Sequence, residues 1–163
     1  GGYTEDDVSD AEDLYGRTKY LGEVTGPGCL TLRTSIIGRE LKGHVGLLDW
    51  FLAQRGRTVR GYARAIYSGF TARRLALLVG DVLESHPGIE GLWQVSSDPI
   101  SKYELLGLLN DAFALGATIE RDEAFVCDRS LDSRRFRQAT GFRPPAWPEM
   151  VRELAGDPTP YGN

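Results

Sequence analysis

The sequence predicts a single α/β unit in which helices and strands alternate along the chain. Three observations carry this. Helix starts are marked by side chains that satisfy free backbone amides, at Ser9 with Glu12 and again at Ser101 with Glu104. Short β-rich, mostly apolar runs lie between the helical stretches, Cys29 to Ile37 and Gly91 to Val95 among them. No long linker, internal repeat or low-complexity stretch interrupts the alternation, so no internal domain boundary is visible in the pattern.

The first helix is expected from the Ser9/Glu12 capping box to about Val24, where Thr25-Gly26-Pro27-Gly28 stops it. Cys29 to Ile37, followed by Gly38, reads as one buried parallel strand. Val45 to Gln54 is a short apolar helix that Gly56 is placed to end. Thr58 to Tyr62 is a short strand, and Thr71 caps a helix from about Ala72 to Glu84 that His86-Pro87-Gly88 closes. Gly91 to Val95 is the next strand. Ser101 and Glu104 open a helix through about Ala114, and Thr118 to Glu120 is a brief strand. Asp132 caps a short helix ending at Gly141, and Trp147 with Pro148 starts the last one, to about Leu154. The tail from Gly156 to Asn163 has turn residues and little to bury.

Composition excludes several function classes. With 163 residues, 41% hydrophobic and 26% charged, the chain has ordinary globular proportions and can bury one core. No apolar run of about 18 residues or secretory leader pattern is present, so neither a membrane nor a targeting segment is expected and the reading is cytoplasmic. The net charge of -4 argues against a nucleic-acid partner, which needs a basic surface to neutralise phosphates. Cys29 and Cys127 fit neither a disulfide framework nor metal-ligand spacing, and His44 and His86 stand in loop-like stretches without nearby ligands, so no metal is expected.

Three patterns carry chemistry. Tyr15 and Lys19 are four residues apart on a helix and so share one face. A cation within a few ångströms stabilises a phenolate and lowers the tyrosine pKa, which suits the pair to proton transfer. Ligands of open α/β sheets bind beyond the carboxyl ends of strands, which makes Ser35, Ile36 and Ile37 candidates to line a pocket. Arg55, Arg57, Arg60, Arg64, Arg73 and Arg74 crowd one stretch of an acidic chain, and a guanidinium fork suits a pyrophosphate. Arg60 and Arg64, outside the strongest helical stretches, are the better candidates.

Around these residues stand Gly2-Tyr3-Thr4-Glu5-Asp6-Asp7, Tyr15-Gly16-Arg17-Thr18-Lys19-Tyr20-Leu21-Gly22-Glu23 and Thr31-Leu32-Arg33-Thr34-Ser35-Ile36-Ile37-Gly38. Gly69-Phe70-Thr71, Leu131-Asp132-Ser133 and Gly141-Phe142-Arg143-Pro144-Pro145-Ala146-Trp147 follow. In this order they resemble the extended short-chain dehydrogenase/reductase family, most nearly its dTDP-4-dehydrorhamnose reductase branch. The resemblance implies the C-terminal part of an NAD(P)-binding, Rossmann-like doubly wound sheet plus a small substrate-binding lobe. Residues 1–39 would complete the dinucleotide-binding domain and 40–163 would build mainly the lobe. It implies Tyr15 as proton donor to a carbonyl, Lys19 as ribose holder, NADP or NAD contacts at Tyr15, Lys19, Ser35, Ile36 and Ile37, and a nucleotide-sugar at Ile36, Arg60 and Arg64.

The family's Gly-rich cofactor turn is missing and the chain opens on Gly1, so the sequence is expected to be the C-terminal portion of a longer protein. A homodimer is among its expected states. Ile36 and Ile37 stand where the branch places a tryptophan and a tyrosine against the sugar, which changes the sugar platform. The implied activity is reduction of a 4-keto nucleotide-sugar. An NAD-dependent epimerase or dehydratase, and a non-catalytic regulatory subunit of the same fold, are the alternatives.

Overall fold

The structure is a computed structural model that describes residues 1–43 and 45–159; His44 and the end of the tail lie outside the described residues. The architecture is the expected mixed α/β one. Helix α1 (Leu14–Leu21) leads to β1 (Leu30–Arg33) and β2 (Ile36–Ile37), then α2 (Leu47–Leu52). β3 (Thr58–Tyr67), β4 (Phe70–Thr71) and α3 (Ala72–Ser85) follow, then β5 (Gly91–Gln94) and β6 (Ile100–Ser101). The chain continues through α4 (Lys102–Ala112), β7 (Thr118–Asp128), α5 (Arg134–Thr140) and α6 (Trp147–Ala155).

Three sheets organise the elements. β1 pairs with β5 in parallel, Leu30 opposite Gly91. β2 pairs in parallel with β4, Ile36 opposite Phe70. β3 is the centre of the third sheet, antiparallel to β6 and parallel to β7. The run from Cys29 to Ile37 is therefore two strands and not one. At Thr34 and Ser35 the chain leaves the partner of β1 for that of β2, and no apolar pattern could have marked a change of partner.

Two strands are much longer than expected. β3 extends to Tyr67 and β7 to Asp128, because they pair with each other through a register shift between Tyr62 and Arg64. Charged residues such as Arg60, Arg64 and Glu120 to Glu123 obscure the alternation that would have announced them.

The core forms where α4, α5 and α6 cover these sheets. Phe51, Phe70, Phe136, Leu105, Leu109 and Met150 are almost wholly buried in it. The α4 capping box is present in both directions: Glu104 N–H donates to Ser101 Oγ (3.1 Å) and Glu104 accepts from Ser101 N–H (3.1 Å). α5 ends at Gly141, whose φ of 72° lies in the left-handed region that a side chain would strain. Asp132 does accept from the Arg134 N–H (2.9 Å), although Ser133 occupies the cap position. Arg74 fastens α3 to α6 through Glu149 and Glu153.

The first helix is the main correction. It starts at Leu14, not near Ser9, and its cap is Asp13, which accepts from the Gly16 N–H (2.9 Å). Aspartate and serine cap about equally well, so the box at Ser9 had no intrinsic advantage over Asp13.

Candidate active site

On α1 the helical pitch brings the expected pair together. Lys19 Nζ lies 5.3 Å from the centre of the Tyr15 ring, a cation–π distance. The helix carries no buried residue; Tyr15 is 73% exposed, and Leu14 and Leu21 are each 80% exposed. Both side chains thus open to solvent.

The ground beneath α1 is built by the other motifs. Glu23 grips Arg33 bidentately (2.7 and 2.9 Å) and holds its guanidinium pKa above the ordinary value. The Tyr3 N–H donates to Ser130 O and the Asp132 N–H to Tyr3 O, so the Gly2–Asp7 segment docks on the Leu131–Ser133 segment. Glu5 accepts from the Gln94 N–H and Thr4 O from Gln94 Nε2 (both 2.9 Å), fixing the same segment to the end of β5. A shallow hollow of about 220 Å³ between this segment and α1 includes Lys19 and Arg33.

A cavity of about 520 Å³ opens at the carboxyl end of β2. Ser35, Ile36 and Ile37 line one side, as expected from the rule for open α/β sheets. Ile37 is buried, whereas Ile36 is 60% exposed. Leu47 and Leu48 of α2 add apolar wall, and Ala65, Phe125 and Cys127 close the opposite side. The backbone is drawn tight here: Phe70 N–H donates to Ser35 O (2.9 Å), and a Cβ at Gly69 would collide with Ser35 O and the Tyr67 hydroxyl. Tyr67 also lines the cavity, its ring packed on Trp147 (5.7 Å). Burial drives its phenol pKa far upward, so it stays neutral, and its hydroxyl has no hydrogen-bond partner among the described residues.

Four charged residues stand on the cavity. Arg39 pairs with Asp49 (2.6 Å), and Glu40 accepts from the Val45 N–H (2.8 Å). Lys102 and Arg129 complete the set, and neither makes an ion pair among the described residues. Sequence reasoning did not single these two out. Lys102 opens α4 just after β6 and Arg129 follows β7, and the pairing of both strands with β3 brings them to one cavity.

The structure does not bring all the expected residues together. Tyr15 and Lys19 are not among the residues lining the large cavity, and neither are Arg60 and Arg64. Arg64 pairs with Val126, one residue before the Ala65–Cys127 pair, so it stands on the opposite face of the sheet. Arg60 is exposed and pairs loosely with Asp122 (3.8 Å). No cluster of three potential metal ligands occurs among the described residues. No helix among them is long and apolar enough to cross a membrane.

No protein-family model matches the sequence, and no curated protein does. Solved structures do match. A hypothetical dTDP-4-dehydrorhamnose reductase from Sulfolobus tokodaii is 27% identical, with a TM-score of 0.69 over 90% of this chain and 56% of that one. The dTDP-4-dehydrorhamnose reductase of Bacillus anthracis, solved with NADP, gives a TM-score of 0.74 at 18% identity, covering 94% of this chain and 58% of that one. The chain has the Rossmann-like fold of these nucleotide-sugar enzymes. A dTDP-glucose 4,6-dehydratase of Bacillus anthracis, solved with NAD, shares it at 13% identity and a TM-score of 0.67, covering 96% of this chain and 55% of that one. The chain spans somewhat more than half the length of the structures it matches.

Proposed function

We propose that this chain is the C-terminal portion of an NAD(P)H-dependent reductase of a 4-keto nucleotide-sugar. The observation that carries the reading is the Tyr15–Lys19 pair on an open helix face, in a fold whose cavity begins at Ser35, Ile36 and Ile37. In this reading residues 1–39 complete a dinucleotide-binding domain and 40–163 build mainly the substrate lobe, with β5 returning to pair with β1.

The chain's residues fit one end of the cofactor. Lys19, exposed beside Tyr15, is free to hold a ribose, and Ser35 to Ile37 offer an apolar wall for a nicotinamide. No Gly-rich turn for the phosphates follows a strand in this sequence, so that function falls to residues outside it. The nicotinamide, when bound, supplies the hydride. Tyr15 donates its hydroxyl proton to the substrate carbonyl oxygen as negative charge develops there, and the Lys19 ammonium favours the phenolate that remains. Ile36 packs against the sugar.

The test is NADPH consumption by the longer protein against a panel of nucleoside-diphosphate keto-sugars. Tyr15→Phe keeps the ring and should lower kcat at least about 100-fold while nucleotide affinity survives. Lys19→Ala should weaken the nucleotide as well. Near wild-type turnover in Tyr15→Phe would end this reading. The isoleucines at 36 and 37 favour one alternative, an NAD-dependent epimerase or dehydratase with a different sugar platform; product formation without net NADPH consumption would establish it.

A further inference from the structure

Strand β2 is two residues long, and its strand partner among the described residues is β4, of equal length. So short a ladder fixes little on its own, yet Ser35, Ile36 and Ile37 form one wall of the cavity. What holds that wall lies behind it. The Phe70 N–H donates to Ser35 O (2.9 Å), so the wall moves with the start of β4, and the start of β4 moves with the Ser68–Gly69 turn before it. The front of that turn has no slack: a Cβ on Gly69 would stand 2.3 Å from Ser35 O and 2.1 Å from the Tyr67 hydroxyl.

The back of the turn is held by a residue just beyond the carboxyl end of β5. Ser97 is 1% exposed and donates to two successive carbonyls, its N–H to Ser68 O (2.8 Å) and its hydroxyl to Gly69 O (2.6 Å). A serine hydroxyl has one proton, and Gly69 O is the nearer of its two acceptors: Asp98 O lies at 3.2 Å and already receives the Trp147 indole N–H (2.7 Å). The Leu131 N–H donates to Ser68 Oγ (2.9 Å) and holds the turn from a third side. β5 is itself paired with β1, and the Val95 N–H donates to Arg33 O (2.9 Å). Ser97 therefore ties the cavity wall back to the β1–β5 sheet, where Arg33 also anchors Glu23 at the end of α1.

We propose that Ser97 is a positioning residue, which through Gly69 sets where the Ser35–Ile37 wall stands relative to the Tyr15–Lys19 helix. That the wall receives a nicotinamide, and that the distance in question is the one hydride crosses, rests on the reductase reading above; the tie itself does not. Ser97 touches no reacting atom in this scheme. Removing its hydroxyl leaves the Gly69 carbonyl without its donor, so the turn relaxes and β2 follows it through Ser35. A displacement of about 1 Å can cost on the order of 100-fold in rate even when its cause is far from the chemistry.

Two measurements test the tie and its consequence separately. In the 163-residue chain, isoleucine methyl NMR of Ser97→Ala should show displaced Ile36 and Ile37 signals beside unmoved Ile89 and Ile119 signals. Ser97→Cys, whose thiol is a weak donor of similar size, should displace the same two signals less and in the same direction. Leu115→Ala, a buried truncation beyond the far end of α4, should lower the urea midpoint and leave Ile36 and Ile37 in place. In the longer protein, Ser97→Ala should lower kcat with NADPH and a keto-sugar about 10- to 100-fold at nearly unchanged nucleotide affinity. Deuterated NADPH should then give a larger isotope effect on kcat than in wild type, a change that loss of stability alone does not produce. Wild-type positions of the Ile36 and Ile37 signals in either folded variant overturn the proposal. Displaced signals with wild-type kcat and isotope effect also overturn it and leave the reductase reading standing. A wild-type protein that reduces no keto-sugar removes that reading, and the methyl signals then decide by themselves whether Ser97 sets the wall.

Discussion

Helices α1 and α4 both begin with a side-chain cap, Asp13 on Gly16 and Ser101 on Glu104, yet they are held by different forces. α4 sinks Leu105, Leu106 and Leu109 completely into the core; α1 buries nothing. Burying a leucine contributes about 1.5–3 kcal/mol, whereas an isolated helix shorter than about 12 residues is marginal in water. α1 is held by its cap, its i,i+4 contacts and the polar anchor of Glu23 on Arg33 just beyond its end, with no buried apolar side chain of its own. The difference separates two tasks. The densely packed core around α4 supplies rigidity, and the Tyr15–Lys19 pair sits on a helix with no buried residue, where other surfaces can reach it.

That contrast can be broken by mutation, and the largest effect belongs to α4. Leu105→Ala should cost about 2–5 kcal/mol, read as a fall in the urea midpoint, since the residue is fully buried. Ser101→Ala should cost about 1 kcal/mol, and its effect should depend on pH. Hydrogen bonds from the Ser101 hydroxyl and backbone hold the Glu104 carboxyl below its ordinary pKa. A group whose pKa is lower when folded contributes stability above its unfolded value of about 4.3, and loses it as pH falls through the folded value. The gap between wild type and Ser101→Ala should therefore narrow as pH drops below about 4. The smallest effect belongs to α1: Leu21→Ala should shift the midpoint by no more than about 0.5 kcal/mol. Amide exchange sharpens the same point, with α1 amides exchanging far ahead of those of α4. A Leu21→Ala loss as large as that of Leu105→Ala would mean that α1 is packed in solution.

The sequence was most readable where one residue satisfies a local backbone requirement. Ser101 with Glu104, the stop at Gly141 and Pro148 in the first turn of α6 stand where the pattern put them. It was least readable where a distant partner decides. The two-residue strands β4 and β6 exist because Ile36 and Ile66 pair with them, and nothing in Phe70–Thr71 or Ile100–Ser101 announces a strand. The site divides in the same way. Helical pitch sufficed to join Tyr15 to Lys19, and the rule for strand ends placed Ser35 to Ile37 at the cavity. Lys102 and Arg129 were hidden because only the folded chain brings them to one cavity. Arg60 and Arg64 stood out because clustered arginines are visible in a sequence, whereas the sheet face they occupy is not.

The long parallel pairing of β3 with β7 also sets an order of events. Thr58 finds its partner at Thr118 and Ala65 at Cys127, so as the chain is synthesised β3 has only the short β6 pairing at Ile66 and Tyr67 until β7 has been added. α1 and α4 can sample their turns at once, because each needs only its own neighbours. Closing a long loop costs entropy before the strands repay it, and proteins dominated by such distant pairings fold slowly. The cavity face, with Ala65 and Cys127 brought level, is therefore a late product of folding, completed only when β7 docks. Refolding followed at Trp147, beside Tyr67, should accordingly report a slower phase than the gain of helical signal.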